Sequence, residues 1–378
     1  AAKIGEENRK RMYVFKDLGG RRVALRPEFT ASIARLVATK MAVKPKPIRL
    51  FSAGSLYRYD EPQYGRYREF WQANYELIGS SRPEADAEIV MIADALMRRV
   101  GLAPYRLKMG HVGILRGILN KEGVEESQQN RIMQLLDKGL QDEAMKVAEE
   151  IRCSNRCIKI LGELLNLKGA DWNKILKDVK DLIDGYERAV NATENFEAIL
   201  NMLRSTKIEI IVDAGFARGL EYYTGMIFEV YVPELGVALG GGGRYDGLIE
   251  LFGGEPTPAV GVAMGIDRMM LAMEKRGVTP VEEESIHVLV LPTKDSLRDA
   301  ALTISSKLRD YGIITEVEVM GRSVSRALSD ADRRGITHVV IVGPRELKNG
   351  MIALRDMRKK TQKTVRLDEL ASQIKGKD

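Results

Sequence analysis

Histidine and cysteine are scarce in this chain of 378 residues. Its three histidines, His111, His287 and His338, offer neither a metal triad nor a Ser–His–Asp arrangement, so we expect no protein-bound metal. The two cysteines, Cys153 and Cys157, exclude a disulfide framework and are typical of a reducing compartment, which favours a cytoplasmic protein. Any catalysis therefore rests mainly on positioning and charge, as in phosphoryl or adenylyl transfer.

Long apolar runs and a signal-peptide pattern are also absent, so we expect no membrane association. The content of 44% hydrophobic and 30% charged residues is typical of globular domains, and the length suggests two or three of them. Residues 285–378 carry 18 Lys and Arg against 12 Asp and Glu, which equals the net excess of +6 of the whole chain. A solvated surface explains that charge as well as a nucleic-acid face does, unless other features favour the latter.

Three kinds of pattern follow one another along the chain. Residues 1–113 and 206–278 contain runs of strands with few crossovers, which predicts an antiparallel sheet. Residues 114–205 have long helical patterns and no catalytic-looking cluster, which predicts an inserted helical domain. After a linker at 277–285, strands alternate with helices, which predicts a small α/β domain with a parallel-leaning sheet. The predicted fold class is therefore mixed, α/β or α+β.

The strand predicted over residues 68–78 has two different faces. One face is mostly apolar and is predicted to lie against the core: Glu69, Trp71, Ala73, Tyr75 and Leu77. The other face is polar: Arg68, Phe70, Gln72, Asn74 and Glu76. Phe70 beside Arg68 suits a flat base stacked on the ring with a cation for phosphate. On this strand alone, a surface strand with one stray phenylalanine is the better interpretation.

The loop before that strand favours a functional role. Residues 58–67 exceed the usual hairpin loop of about 2–5 residues, and a long loop is often a working loop. Three arginines supply phosphate contacts and three tyrosines supply stacking surfaces. These residues are Arg58, Arg66, Arg68, Tyr59, Tyr64 and Tyr67.

Two further segments suggest a bound ligand. The four glycines 240–243 follow a strand predicted at 237–240 and let a backbone approach a ligand closely, although they do not form a P-loop, and a mere bend is the alternative. A strand predicted over 259–264 runs into a helix whose first turn holds Arg268. A cation placed against the helix dipole suggests an anionic ligand, and a solvated arginine is the alternative.

Taken in order, these segments resemble a class II aminoacyl-tRNA synthetase and, within that class, the histidyl-tRNA synthetase family. Residues 58–70 resemble motif 2, and residues 261–268 resemble motif 3. Residues 218–223 and 241–246 resemble the two signature segments of the family, and residues 25–30 resemble its substrate-binding turn. The similarity covers nearly the whole chain.

The resemblance implies a discontinuous antiparallel-sheet catalytic domain at 1–113 and 206–278, a helical insertion at 114–205 and an anticodon-binding domain at 285–378. It implies that L-histidine and ATP, with Mg²⁺, give histidyl-adenylate and pyrophosphate, and that the histidyl group then passes to the 3′ end of histidine tRNA. A chemically sensible pocket for this reaction has acceptors and a hydroxyl for the imidazole and a carboxylate for the ammonium group.

The resemblance also implies residue roles, carried over position by position. Arg58 and Arg218 are the expected catalytic residues at the α-phosphate. The expected ATP-binding residues are Arg58, Arg66, Phe70 on the adenine and Arg268 on the γ-phosphate. Glu28 and Tyr223 are expected to hold the imidazole, and Thr30, Gln72 and Glu76 the α-amino group. The remaining expected histidine contacts are Arg58, Arg218 and Tyr222, and the expected tRNA contacts are Gln63, Arg66 and Arg68.

The chain departs from the family pattern in several places. Phe29 stands where the family usually has glycine, Glu221 where it usually has aspartate, and Trp71 is bulky for its position. Motif 1, which builds the dimer interface in the family, would lie upstream of residues like 1–11. We expect an incomplete or trimmed N-terminus, and a homodimer where that region is present.

Two rival hypotheses compete with this one. The first is the synthetase-like regulatory subunit of ATP phosphoribosyltransferase, a non-catalytic binding protein that typically lacks the terminal domain. Here the basic segment 285–378 is present and the motif arginines are intact. The second is a nucleic-acid-binding module without catalysis, which would not need Arg58, Arg218 and Arg268 together.

Overall fold

The structure is a computed structural model that describes residues 9–61, 64–204, 206, 208–218, 221–278 and 286–376. The chain divides into two compact units, Ala1–Thr279 and Pro280–Asp378. In the described residues, no helix combines the length and the apolar character that crossing a membrane requires.

The first unit contains a small hairpin and an eight-stranded sheet. Its strands are β1 (Val14–Lys16), β2 (Arg22–Ala24), β3 (Ile48–Tyr57), β4 (Glu69–Ile78), β5 (Arg106–His111), β6 (Lys168–Gly169), β7 (Glu209–Asp213), β8 (Met226–Tyr231), β9 (Gly240–Arg244) and β10 (Ala259–Gly265). β1 pairs with β2, and the large sheet has the order β3-β4-β10-β9-β8-β5-β7-β6. All its neighbouring strands are antiparallel except the pair β5–β7. The predicted antiparallel sheet is confirmed.

Ten helices lie in the described part of this unit. They are α1 (Thr30–Lys40), α2 (Pro83–Arg99), α3 (Val112–Lys121), α4 (Glu126–Asp137), α5 (Gln141–Glu150), α6 (Asn155–Leu164), α7 (Trp172–Leu182), α8 (Glu187–Leu203), α9 (Leu248–Leu251) and α10 (Ile266–Arg276). α2 packs on β10 and on α8, and α8 packs on α3. Apolar residues at helical spacing on α2 form the core with sheet residues such as Leu107 and Phe228. The helical segment α3–α8 therefore shares one core with the sheet.

The sequence prediction for the two faces of β4 is correct for the end of the apolar face and wrong for its start and for the polar face. Leu77 is buried in the core and Tyr75 packs against it, as predicted, but Trp71 on the same face is 51% exposed. Asn74 and Glu76, on the polar face, are 1% and 2% exposed. Polarity misled the prediction because this face lines a cavity, where buried polar groups find hydrogen-bond partners instead of water.

The glycine run is itself a strand. We predicted a strand at 237–240 that ends at the glycines, but β9 spans Gly240–Arg244 and lies between β8 and β10. On the cavity face, Gly261 of β10 is paired with Glu76 of β4 and with Gly243 of β9. A Cβ at Gly261 would overlap the Glu76 carboxylate. Because the glycines have no side chains, long polar side chains have room to lie against this face of the sheet.

The second unit is a five-stranded sheet with helices. Its elements are β11 (His287–Pro292), α11 (Arg298–Asp310), β12 (Ile314–Val317), α12 (Val324–Arg333), β13 (His338–Val342), α13 (Pro344–Lys348), β14 (Met351–Asp356), β15 (Thr361–Arg366) and α14 (Leu370–Lys375). The order is β12-β11-β13-β14-β15, with the first three strands parallel and the last two antiparallel. The parallel part was predicted; β14 and β15 were not.

Candidate active site

A cavity of about 490 Å³ opens on the polar face of the sheet in the first unit. It collects nearly all the candidate residues: Glu28, Thr30, Arg58, Arg66, Phe70, Gln72, Glu76, Arg218, Tyr222, Tyr223 and Arg268. Arg68 does not line it, because its Nε donates to the Asp60 carbonyl at 3.1 Å and its guanidinium lies over the Tyr59 ring. Gln63 lies outside the described residues.

Arg58 lies where β3 ends, above the ring of Phe70 on β4. Its guanidinium carbon is 5.1 Å from the ring centroid, and its Nε donates to the carbonyl oxygen of Pro27 at 2.9 Å. Burial lowers the pKa of Arg58, while the charges of Glu28 and Asp60 oppose that shift. The hydrogen bond fixes one edge of the guanidinium, and its remaining N–H groups are the kind of fork that binds a phosphate.

Arg268 enters the same cavity from the first turn of α10. Its Nε donates to the Gly65 carbonyl and its Nη1 to the Ala238 carbonyl, each at 2.7 Å. Burial lowers the pKa of Arg268, and the nearby positive charges of Arg66 and Arg58 lower it further. Three arginines thus repel one another around one space, and an anionic ligand would relieve that repulsion.

Arg218 lies against the glycines of β9. Its Nη1 donates to the Phe228 carbonyl at 3.0 Å, and its Nη2 is 3.6 Å from Oε1 of Glu229. A Cβ on Gly241 would overlap the guanidinium, so only glycine allows Arg218 to lie this close to β9. The backbone and Glu229 together hold this cation in the cavity.

Two buried carboxylates form the deep end of the cavity. Glu76 accepts hydrogen bonds from Thr30 Oγ1 at 2.8 Å and from the Tyr245 hydroxyl. Burial raises the pKa of Glu76 to about 7. Glu28 accepts from the Ala31 amide at 3.0 Å and from the Tyr222 hydroxyl at 3.1 Å, and burial raises its pKa as well.

The tyrosines lie between the carboxylates and Arg218. The rings of Tyr222 and Tyr223 are 5.1 Å apart, and the Arg218 guanidinium carbon is 5.8 Å from the Tyr223 ring centroid. The cavity therefore combines buried carboxylates and hydroxyls with several arginines. Such an arrangement can bind a small zwitterion beside a polyphosphate and place a carboxylate against a phosphorus atom.

Several lining residues were missed by the sequence analysis as site residues. Asn74, Tyr245 and Glu229 line the cavity from β4, β9 and β8 or directly after them. Asn74 was signalled by its place on the polar face with Gln72 and Glu76. Asp137 and Lys138 also line the cavity, from the end of α4, although we had expected no site residues in the helical segment. Their sequence pattern is that of an ordinary helix end.

The departures from the family pattern have local explanations. The Phe29 ring tip lies 3.3 Å from where a Gly54 side chain would begin, so the glycine of β3 makes room for the ring in the core. Trp71 is half exposed at the cavity, which leaves room for its bulk, and its amide donates to the Asp267 carboxylate at 2.6 Å. Glu221 reaches a glutamine of the helical segment, at 2.9 Å between its Oε1 and Nε2 of Gln134.

The antiparallel sheet, with its motif arginines directed to one face, defines the catalytic domain of a class II aminoacyl-tRNA synthetase. The family model described as histidyl-tRNA synthetase matches residues 1–269, and that of the anticodon binding domain matches residues 287–377. The chain belongs to the histidyl-tRNA synthetase family.

Named relatives and solved structures are similar over nearly the full length. A Histidine--tRNA ligase of Methanocaldococcus jannaschii is 41% identical over 98% of this chain and 87% of that protein. The crystal structure of apo S. aureus histidyl-tRNA synthetase is 26% identical, with a TM-score of 0.69, over 96% of this chain and 86% of that one. A Bacillus halodurans structure, titled as an ATP phosphoribosyltransferase regulatory subunit/histidyl-tRNA synthetase, is 27% identical with a TM-score of 0.66, over 85% and 81%.

Proposed function

We propose that this chain is a histidine–tRNA ligase, which activates L-histidine with ATP to histidyl-adenylate and transfers the histidyl group to the 3′ end of histidine tRNA. The observation that carries the proposal is the cavity that joins Arg58, Arg218 and Arg268 to the buried carboxylates Glu28 and Glu76. The similarity to Histidine--tRNA ligases at about 40% identity supports the same activity.

We assign ATP binding to the arginines of the cavity and to Phe70. The ring of Phe70 would stack on the adenine, and Arg268 with Arg66 would bind the γ-phosphate. Arg58 would bind the α-phosphate from one side and Arg218 from the other. As the histidine carboxylate oxygen attacks the α-phosphorus and pyrophosphate leaves, charge builds on the α-phosphate oxygens, where two fixed cations stabilise it.

We assign histidine binding to the part of the cavity around the buried carboxylates Glu28 and Glu76. As expected from the resemblance, Glu28 and Tyr223 would hold the imidazole, and Thr30, Gln72 and Glu76 would hold the α-ammonium group. Tyr222 would fix Glu28, to which its hydroxyl already donates. Buried carboxylates left without a cation are costly, and a positively charged ligand offsets that cost, which favours histidine over an apolar amino acid.

Mg²⁺ would reach the site with ATP. No group of three potential ligand side chains occurs in the described ranges, so the phosphates would supply most of the oxygen ligands of the ion. Glu229 is one cavity carboxylate that would be available as a further ligand. The ion would neutralise charge on the β- and γ-phosphates.

The tRNA contacts form the remaining part of the proposal. Arg66, on the rim of the cavity, together with Arg68 and Gln63, would meet the acceptor end, and the basic unit at 285–378 would bind the anticodon. The helical segment 114–205 would act as an inserted domain of the catalytic unit. A homodimer and a cytoplasmic location are expected from the same family resemblance, and light scattering would test the former.

Pyrophosphate exchange into ATP, measured for each of the twenty amino acids without tRNA, tests this function. We expect exchange with L-histidine alone. Exchange with a different amino acid, or none with any of them, would refute the assignment. A chain that binds histidine but neither exchanges nor charges tRNA would instead fit the regulatory-subunit alternative.

A further inference from the structure

Two helices of the helical segment contact the loop that carries the histidine-pocket tyrosines. Gln134 on α4 donates from Nε2 to Oε1 of Glu221 at 2.9 Å. Arg116 on α3 donates from Nη2 to the backbone carbonyl of Glu221 at 3.4 Å and to Oδ1 of Asn130 at 2.8 Å. Glu221 immediately precedes Tyr222 and Tyr223, so both contacts act at the start of the tyrosine pair.

The helices that make these contacts are themselves fixed. Gln129, one turn before Gln134 on α4, is 3% exposed. Its Nε2 donates at 2.8 Å to both Oδ1 of Asn120 and the Val124 carbonyl, which ties α4 to the end of α3. Burial lowers the pKa of Arg116, while the charges of Glu126 and Glu221 oppose that shift. The anchors of the loop are therefore part of a desolvated polar network.

Glu221 lies behind the histidine pocket and not inside it. It borders a separate space of about 10 Å³, together with Gln134, Arg218 and Tyr223. A space of this size has room for one water molecule at most, so it cannot receive a substrate. Glu221 is also absent from the residues that line the main cavity. Any effect of Glu221 on histidine binding must therefore pass through the loop.

We propose that Gln134 and Arg116 are positioning residues of the histidine pocket, which hold Glu221 and thereby fix Tyr222 and Tyr223 against the substrate. The proposal rests on the function proposed above and explains why glutamate occupies position 221. An aspartate there would be one methylene shorter and would lose its contact with Gln134. Because α4 ends at Asp137, which lines the main cavity, one helix connects the loop to the mouth of the site.

An exchange of the two interacting groups tests the proposal. Gln134→Glu places a second carboxylate against Glu221, and Glu221→Gln in the same chain restores one carboxylate and one amide with reversed roles. Histidine-dependent pyrophosphate exchange is measured over a range of histidine and of ATP concentrations, which gives a KM for each substrate. We expect Gln134→Glu to raise the KM for histidine at least ~10-fold with little change in the KM for ATP, because an interaction with a charged group is lost.

The double variant should return the KM for histidine to within about threefold of the original value, in keeping with a recovered hydrogen bond. Gln141→Glu is the matched control, because Gln141 is an exposed glutamine of the same helical segment; it should leave both KM values unchanged. No recovery in the double variant, or an equal rise in the KM for ATP, would overturn this inference alone. No exchange by the unaltered chain would overturn the proposed function, and this inference with it.

Discussion

Substituting Glu76 by glutamine should stabilise the protein while it weakens histidine activation. Glu76 is 2% exposed, and burial raises its pKa from 4.5 to about 7. Below pH 4.5 the carboxyl is protonated in the folded and the unfolded chain, so its ionisation costs nothing. Between pH 4.5 and 7 only the unfolded chain ionises, and stability falls by about 3 kcal/mol until the folded pKa is passed. The glutamine variant does not ionise and should escape this loss.

The measurement is thermal unfolding of the ligand-free protein at pH 5 and pH 8, for the original chain and for Glu76→Gln. The difference in Tm between the two chains should be small at pH 5 and should grow by about 5–10 °C at pH 8, from the usual relation for domains of this size. Comparing two chains matters because burial lowers the pKa of His111 to about 4, so that group destabilises the fold as pH falls from 6.5. This effect is common to both chains and cancels.

Glu250→Gln is the control, since Glu250 is exposed and the same substitution there should leave Tm unchanged at either pH. Histidine should raise the Tm of the original chain and fail to raise that of Glu76→Gln, and exchange should fall ~10–100-fold with the loss of the charged contact. A Tm difference that is equal at pH 5 and pH 8 would refute ionisation as the cause. Unchanged Tm at both values would refute the cost of desolvation itself.

Three further predictions follow from the same geometry. Arg218→Ala should lower single-turnover adenylate formation by at least ~10²-fold with little change in Tm, because it removes one of the cations proposed to bind the α-phosphate; a near-normal rate would contradict that role. Arg244→Met should destabilise the fold by about 3–5 kcal/mol, because it leaves the buried Asp86 carboxylate, which pairs with Arg244 at 3.0 Å, without its partner. In urea unfolding, adding Asp86→Asn to the same chain should recover part of this loss. No recovery would exclude the buried charge as the cause. Imidazolepropionate, which lacks the amino group, should inhibit exchange by Glu76→Gln as well as by the original chain but inhibit Glu28→Gln poorly; the reverse pattern would interchange the two carboxylates.

The sequence predicted the sheet well where alternation was regular and poorly where glycine replaced it. β4 and β10 lie within one residue of the strands predicted at 68–78 and 259–264. β9 was placed too early, because a run of glycines has no side chains from which a face could be inferred. Its strand character comes from its neighbours β8 and β10, which a single sequence does not reveal.

The candidate site was predictable for residues that belong to recognisable motifs and not for residues supplied by a distant segment. Glu28, Arg218 and Arg268 are far apart in the sequence, yet the resemblance brought them together and all three line one cavity. Asp137 and Lys138 were not predicted, because nothing in an amphipathic helix marks which end faces a ligand. The polar face of β4 was mispredicted as a surface, because polarity indicates exposure only where no cavity is present.

The position of the glycines connects the fold to the chemistry. A long carboxylate on β4 needs a neighbour without a side chain on β10, and Gly261 supplies it opposite Glu76. The Arg218 guanidinium also needs a neighbour without a side chain, and Gly241 of β9 is that neighbour, since a Cβ there would overlap the guanidinium. Glu76 and Arg268 line this cavity, where burial raises the pKa of the first and lowers the pKa of the second, so the charged form of each is costly there. The ammonium group of an amino acid would offset the cost at Glu76 and a polyphosphate the cost at Arg268, so we expect the two substrates to bind more tightly together than either does alone.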